Sequence, residues 1–290
     1  MKPIESLSEL QGILTRLLFR IDEACKAWGI RYSLAGGTLL GAARHKGFIP
    51  WDDDVDIAMP RKDYERFLEM AGKEGDRYHF GVVSPKTDPA YPSLYSKAFD
   101  PDTLCVESNL KSKGVRYGCF VDVFPIDGLG KAKDAGRHIA KKRLPRLILT
   151  ASAWKKYKKS LNRPWYREPI RLLFYCLSRG VDPVKLSASI TRYYERFDLE
   201  ESEVGAVVVG ARSKKDALPA RSFLEYTTLE FGGRQLSVFK DYDFHLRAQY
   251  GDYMRLPPKE KQITHHSFDA FILEEKDKEK RYPPNEPIVS

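Results

Sequence analysis

Between Pro50 and Met59 the chain reads Pro-Trp-Asp-Asp-Asp-Val-Asp-Ile-Ala-Met, with four carboxylates in five consecutive positions. On an extended strand side chains alternate between faces, so Asp54 and Asp56 point one way and Val55 and Ile57 the other. The pattern predicts a strand over 54–59 with one face in the core. The other face carries two carboxylates whose Cα atoms lie about 6.5–7 Å apart. Like charges that close beside a core repel, and a cation between them relieves the repulsion. Such a pair can hold one hard divalent ion or bridge two. A solvated acidic loop is the competing reading of Asp-Asp-Asp alone, but a loop has no reason to alternate with core residues.

The surroundings place this strand in an α/β fold. Leu7, Leu10, Leu14, Leu17, Leu18, Ile21 and Cys25 recur at three-four spacing and predict an amphipathic helix over 5–28. A short strand is expected at 31–35, then a turn at Gly36-Gly37-Thr38 and a helix over 38–45. Glycines at a strand–helix turn let a phosphate approach the backbone, and the helix N-terminus faces an anion. Pro60 ends the acidic strand, and 61–72 reads as a helix. Further strands are expected at 78–83, 94–99, 103–106 and 119–124. The last contains Asp122 between apolar neighbours, where a lone carboxylate needs a partner. A salt bridge and a third cation ligand are both open there. Residues 184–197 read as a helix and 204–210 as a buried strand. Gly232-Gly233 predicts the tight turn of a hairpin over 227–239. Asp241 is expected to cap a helix running to Tyr250, and the tail over 274–287 reads as charged and solvated.

Charge is unevenly placed. The 290 residues carry 49 Lys/Arg against 40 acids, a net of +9. Residues 137–179 contain thirteen of those bases and one acid, Glu168, so the remainder is mildly acidic. This disfavours a nucleic-acid binder with a uniformly cationic surface. Proline breaks are expected in that stretch at Pro145, Pro164 and Pro169. Trp154, Tyr157, Trp165 and Tyr166 lie among its bases, a mixture suited to an anionic membrane surface. A helical lid over the site or an acceptor-binding surface are the other readings. The opening MKPIESLSEL has no signal-peptide pattern, and no apolar run reaches membrane-spanning length. Four cysteines without paired spacing fit a reducing cytoplasm and argue against zinc.

The run GGTLLGAARHKGFIPWDDDVDIAMPRKDY (36–64) resembles the signature of the LicD family, whose members transfer choline phosphate to bacterial surface glycans. FVDVFPIDGL (120–129), the stretch 229–258 and His265-His266 agree in order, and the fukutin-related transferases share the core signature. The resemblance implies a nucleotidyltransferase-like mixed sheet flanked by helices. The chain reads as a nucleotidyltransferase-like catalytic core over 1–130, a basic helical insertion over 131–200 outside the resemblance, and a return segment over 201–290 that completes the catalytic domain and carries the charged tail. The resemblance also implies transfer of phosphocholine, or a related alcohol phosphate, from a CDP-linked donor to a glycan hydroxyl, with release of CMP. The acceptor is expected to be lipid-linked, and the enzyme cytoplasmic or peripheral on the inner membrane face.

Within that expectation Asp54, Asp56 and Asp122 are the candidate catalytic and Mg²⁺ (or Mn²⁺) ligands, and Gly36, Gly37 and Thr38 lie under the pyrophosphate. Asp52 is a further ligand or acceptor contact. Arg44 is either a phosphate fork or a solvated helix end, and Lys97 is a candidate phosphate contact. Trp51 packs in the core or offers a face to a quaternary ammonium, as do Tyr91, Tyr95 and Tyr117. His265 is expected to be a substrate-binding residue. Three rivals remain at this level: a D-x-D glycosyltransferase, a nucleotidyltransferase releasing pyrophosphate, and a non-catalytic glycan- or membrane-binding protein.

Overall fold

A computed structural model describes residues 1–88, 91, 93–107, 117–154, 156–157, 164–264 and 268–274. His265, His266 and the charged tail beyond 274 lie outside the described residues. In chain order the elements are β1 (Lys2–Pro3), α1 (Leu7–Trp28), β2 (Ser33–Leu34), α2 (Gly36–His45), β3 (Asp56–Pro60), α3 (Arg61–Glu74), β4 (Gly81–Val83), β5 (Ser96–Phe99), β6 (Thr103–Glu107) and β7 (Phe120–Gly128). Then come α4 (Ala135–Ser152), α5 (Glu168–Arg179), α6 (Pro183–Tyr194), β8 (Val204–Ala206), β9 (Leu218–Pro219), β10 (Tyr226–Phe231), β11 (Arg234–Phe239), α7 (Tyr242–Tyr250) and β12 (Phe268–Ile272).

The central sheet runs β2-β3-β7-β5-β4, with β8 and β9 continuing from the end of β7. Only β3 and β7 pair parallel among its described strands. Their register sets Asp56 opposite Asp122, Ile57 opposite Val123 and Ala58 opposite Phe124. On the other side of β7, Lys97 of β5 stands opposite Asp122. A second sheet, β1-β12-β6, and the β10–β11 hairpin complete the strands. The hairpin turns on Gly232 and Gly233 at φ +60° and +86°, values that a side chain would strain.

The main core is built by α1, which buries Leu10, Leu14, Leu17, Leu18, Ile21 and Cys25 in one stripe against Ile57, Val121 and Val123 of the sheet. Ser6 caps α1 by accepting a hydrogen bond from the Glu9 amide at 3.1 Å. A separate cluster joins Ile139 and Leu149 of α4 to Ile190 and Tyr194 of α6 and to Val208.

Three local expectations change. Pro145 lies inside α4 instead of ending it. The bond it removes is to the carbonyl of Lys141, on an exposed turn open to solvent. The strand expected at 204–210 stops at Ala206. Asp241 precedes α7, but its side chain makes no capping bond.

Arg61, the first residue of α3, reaches the fully buried Asp127 through two hydrogen bonds of 2.7 Å. This bidentate pair clamps α3 to β7. Arg61→Ala leaves an uncompensated carboxylate in the core and is expected to lower stability by about 3–5 kcal/mol. A urea midpoint unchanged from the native protein would contradict this.

A carboxylate centre over the start of helix α2

Period-two burial starts before β3 does. Asp53, Val55 and Ile57 are buried while Asp52, Asp54 and Asp56 remain partly open. Three carboxylates therefore line one edge of the chain as it enters the sheet, and the β3–β7 register brings Asp122 beside them. Oxygens of Asp52, Asp53 and Asp54 also come within 4.8 Å of one another, so Asp53 joins the group. The Asp56 carboxyl is pushed well above the usual carboxylate range, first by burial and then by the charges of Asp54, Asp122 and Asp52; Lys97 opposes the shift.

The glycine turn lies directly beneath. A Cβ on Gly36 would stand 2.8 Å from Asp56 Oδ2, and one on Gly37 would stand 2.7 Å from Asp52 Oδ2. Gly36 also has φ +53°. The glycines thus make room for carboxylates over the first turn of α2, a place favourable to negative charge. Thr38, nearly fully buried, accepts a hydrogen bond from the Asp56 amide at 2.9 Å, and the Ala35 amide donates to the Asp56 carbonyl at 3.0 Å. Both bonds fix the start of β3 against the start of α2. The Asp52 backbone is held by Gln11 Nε2, which donates to its carbonyl at 2.8 Å.

Lys97 is buried, and its Nζ donates to Asp122 Oδ1 at 3.0 Å. Its ammonium sits 3.3 Å from the Phe120 ring centroid, with Tyr95 and Tyr117 at 5.7 and 5.6 Å. These tyrosine faces are turned to Lys97. Arg44 donates to the Tyr253 carbonyl at 2.6 Å and to His45 Nε2 at 2.9 Å, so its fork ties α2 to the turn after α7. Trp51 is half-buried against the main core. Tyr250, the last residue of α7, has its phenol pushed up by partial burial and by the charges of Asp56, Asp52 and Asp54. The field of those carboxylates therefore reaches the end of α7, where Tyr250 is 41% exposed.

The structure thus brings Gly36, Gly37, Thr38, Asp52, Asp54, Asp56, Asp122 and Lys97 together. Asp53 and Tyr250 were not singled out from sequence. Asp53 was visible in the acidic run, whereas Tyr250 is nearly two hundred residues away and carries no local signal. A second group, His79, Asp100 and Asp102, also gathers its ligand atoms within 4.8 Å. There Arg20 already donates to Asp100 and His79 Nε2 lies 2.6 Å from Asp102, so protein cations and donors serve those carboxylates.

Gly36→Ala is expected to displace Asp56 and add about 1–2 kcal/mol of left-handed backbone strain. Gly72→Ala, where an added Cβ meets nothing within 4 Å, is the control and should be neutral or stabilising. Equal thermal midpoints for the two variants would contradict the packing described.

A family model described as LicD/FKTN/FKRP, nucleotidyltransferase domain, matches residues 29–136. That span contains the acidic strand, the glycine turn, Lys97 and Asp122. The lipopolysaccharide cholinephosphotransferase LicD of Haemophilus influenzae is 30% identical over 270 residues, which cover 92% of this chain and 98% of that protein. The ribitol 5-phosphate transferases FKRP of Mus musculus and Homo sapiens are each 49% identical over 49 residues, 17% of this chain and 10% of theirs. With the match to the Haemophilus protein running nearly end to end and the carboxylate centre inside the matched domain, the chain belongs to the LicD family.

Proposed function

We propose that this protein transfers phosphocholine, or a related alcohol phosphate, from a CDP-linked donor to a hydroxyl of a cell-surface glycan precursor and releases CMP. The observation that carries the reading is the convergence of Asp52, Asp54, Asp56 and Asp122 over the N-terminus of α2, with Lys97 as the ammonium bonded to Asp122. The relatives support it: one is named for cholinephosphate transfer to lipopolysaccharide and others for ribitol 5-phosphate transfer. The acceptor is taken to be lipid-linked and met at the cytoplasmic face of the membrane. Among the described residues no helix is long and apolar enough to cross a bilayer.

The donor set fits a divalent cation. It consists of oxygens, it gathers several negative charges, and the Asp56 carboxyl within it is pushed toward protonation. Asp54, Asp56 and Asp122 would hold Mg²⁺ or Mn²⁺, with Asp52 beside them. A cation held there would supply positive charge to offset that of the donor's pyrophosphate. The chain's own residues do the rest. Thr38 and the Ala35 amide hold Asp56 in place, Lys97 orients Asp122 through a hydrogen bond to Oδ1, and the α2 N-terminus favours the anionic donor.

Asp54→Asn and Asp56→Asn are expected to fold and to lose transfer at least a few hundredfold, equivalent to about 3–4 kcal/mol of transition-state stabilisation. Full activity in either would remove the centre from the mechanism. The leaving nucleotide separates the rival chemistries: CMP is expected from a CDP-linked donor. CDP release would point to a glycosyltransferase, and pyrophosphate release from CTP to a nucleotidyltransferase.

A pH dependence follows from Asp56. Its raised carboxyl contributes stability while protonated, and that contribution fades as pH rises through the raised value. A bound cation removes the penalty of ionisation. The rise in Tm on adding Mg²⁺ or Mn²⁺ is therefore expected to be larger at about pH 8 than at about pH 5.5. An increment independent of pH would contradict the assignment.

A further inference from the structure

Helix α5 turns large apolar side chains outward while burying polar ones. On its inner side, beside half-buried Phe174 and Tyr175, Glu168 is buried, accepts bonds from Arg171 at 2.8 and 2.9 Å, and receives the Tyr157 hydroxyl, and Ser178 is buried as well. Arg179 turns back to donate to the carbonyls of Ala151 and Trp154. The outer face is apolar. Tyr166, Ile170, Leu173 and Leu177 recur at four-three-four spacing, and their exposures are 58%, 55%, 54% and 46%. Trp165, at the entry to the helix, is 77% exposed. A stripe of large apolar side chains at these spacings is the face that an amphipathic helix ordinarily buries.

We infer that this face docks on the surface of an anionic lipid bilayer. Charge selects that occupant. The one acid between 137 and 179 is Glu168, which is turned inward against Arg171, so the outer side of α5 presents no carboxylate of its own. Lys156 and Arg167 are exposed beside the helix entry, and Arg143 is exposed on α4, which packs against α5. Apolar side chains entering the headgroup boundary, aromatics at its level and cations facing lipid phosphates are the arrangement of an interfacial helix. The thirteen bases do not act alike, however. Arg146 is buried and bonded to the carbonyls of Val209 and Ala211, and Arg171 and Arg179 serve internal contacts, so these three belong to the fold. The inference stands on α5 and the exposed residues around it and does not require the transfer chemistry.

The test is flotation of the full chain with phosphatidylcholine vesicles, with and without about one third phosphatidylglycerol, at low and physiological salt. Cys176, the exposed one of the four free cysteines, takes an environment-sensitive fluorophore on the same face. The native protein is expected to float with the anionic vesicles and to shift the label's emission to the blue. Ile170→Asp with Leu173→Asp should reduce the bound fraction at least tenfold without changing Tm, because among the described residues both side chains are more than half exposed. If that pair misfolds, Trp165→Ala with Arg167→Glu, outside the helix, is expected to reduce binding severalfold. No flotation of the native chain at low salt would overturn the inference, as would variants that float like the native chain. So would a native dimer in sedimentation that Ile170→Asp with Leu173→Asp converts to monomer, since a second copy would then be the occupant. Binding is read without turnover, so these outcomes leave the transfer reading untouched.

Discussion

The structure is organised around an electrostatic conflict at the ends of two parallel strands. Asp56 and Asp122 are adjacent in register on β3 and β7, and Asp52 and Asp54 arrive along the chain entering β3. The ammonium of Lys97 is bonded to Asp122 within the group, and it is itself flanked by aromatic faces. Such a cluster is costly beside strand residues as buried as Ile57, Ala58 and Val123. Isolated carboxylates shed their charge by binding protons, and clustered ones can also bind a cation. The backbone around them is correspondingly fixed: Thr38 and Ala35 grip Asp56, Gln11 grips Asp52, and glycines at 36 and 37 leave the space that the carboxylates fill.

Much of this was readable from residue order, for a physical reason. Alternation of acid and apolar residues is a local signal, and a strand half in the core must obey it. The acidic edge, the Gly-Gly turn, the hairpin at Gly232-Gly233 and the helices α1 and α3 follow from spacing alone. Where partners are distant in sequence, spacing says little. Lys97 invites a phosphate in sequence; only the β5–β7 register shows it bonded to Asp122. Arg44 reads as a free fork until the turn after α7 supplies the Tyr253 carbonyl. The Gly-Gly turn reads as a phosphate seat, yet the nearest occupants of its space are Asp56 and Asp52. Tyr250 and the Arg61–Asp127 clamp depend on tertiary placement throughout.

The charge map illustrates the same division. Composition locates the basic excess in 137–179 but cannot separate cations that build the fold from those that face outward. The structure makes the separation by partner: carbonyls for Arg146 and Arg179, a buried carboxylate for Arg171, open surface for Arg143, Lys156 and Arg167. The carboxylate centre and the outward face of α5 then form two distinct features of one chain, an anionic cluster at the start of β3 and a cationic, apolar face with no protein covering it among the described residues.

The central claim is that Asp54, Asp56 and Asp122 act together as the seat of a divalent cation. Titration of the full-length protein with Mn²⁺, reading free ion by electron paramagnetic resonance, tests it directly. Saturable binding by the native chain, weakened at least tenfold in Asp56→Asn, is the predicted result. Equal Mn²⁺ binding by the native protein and Asp56→Asn would contradict the account.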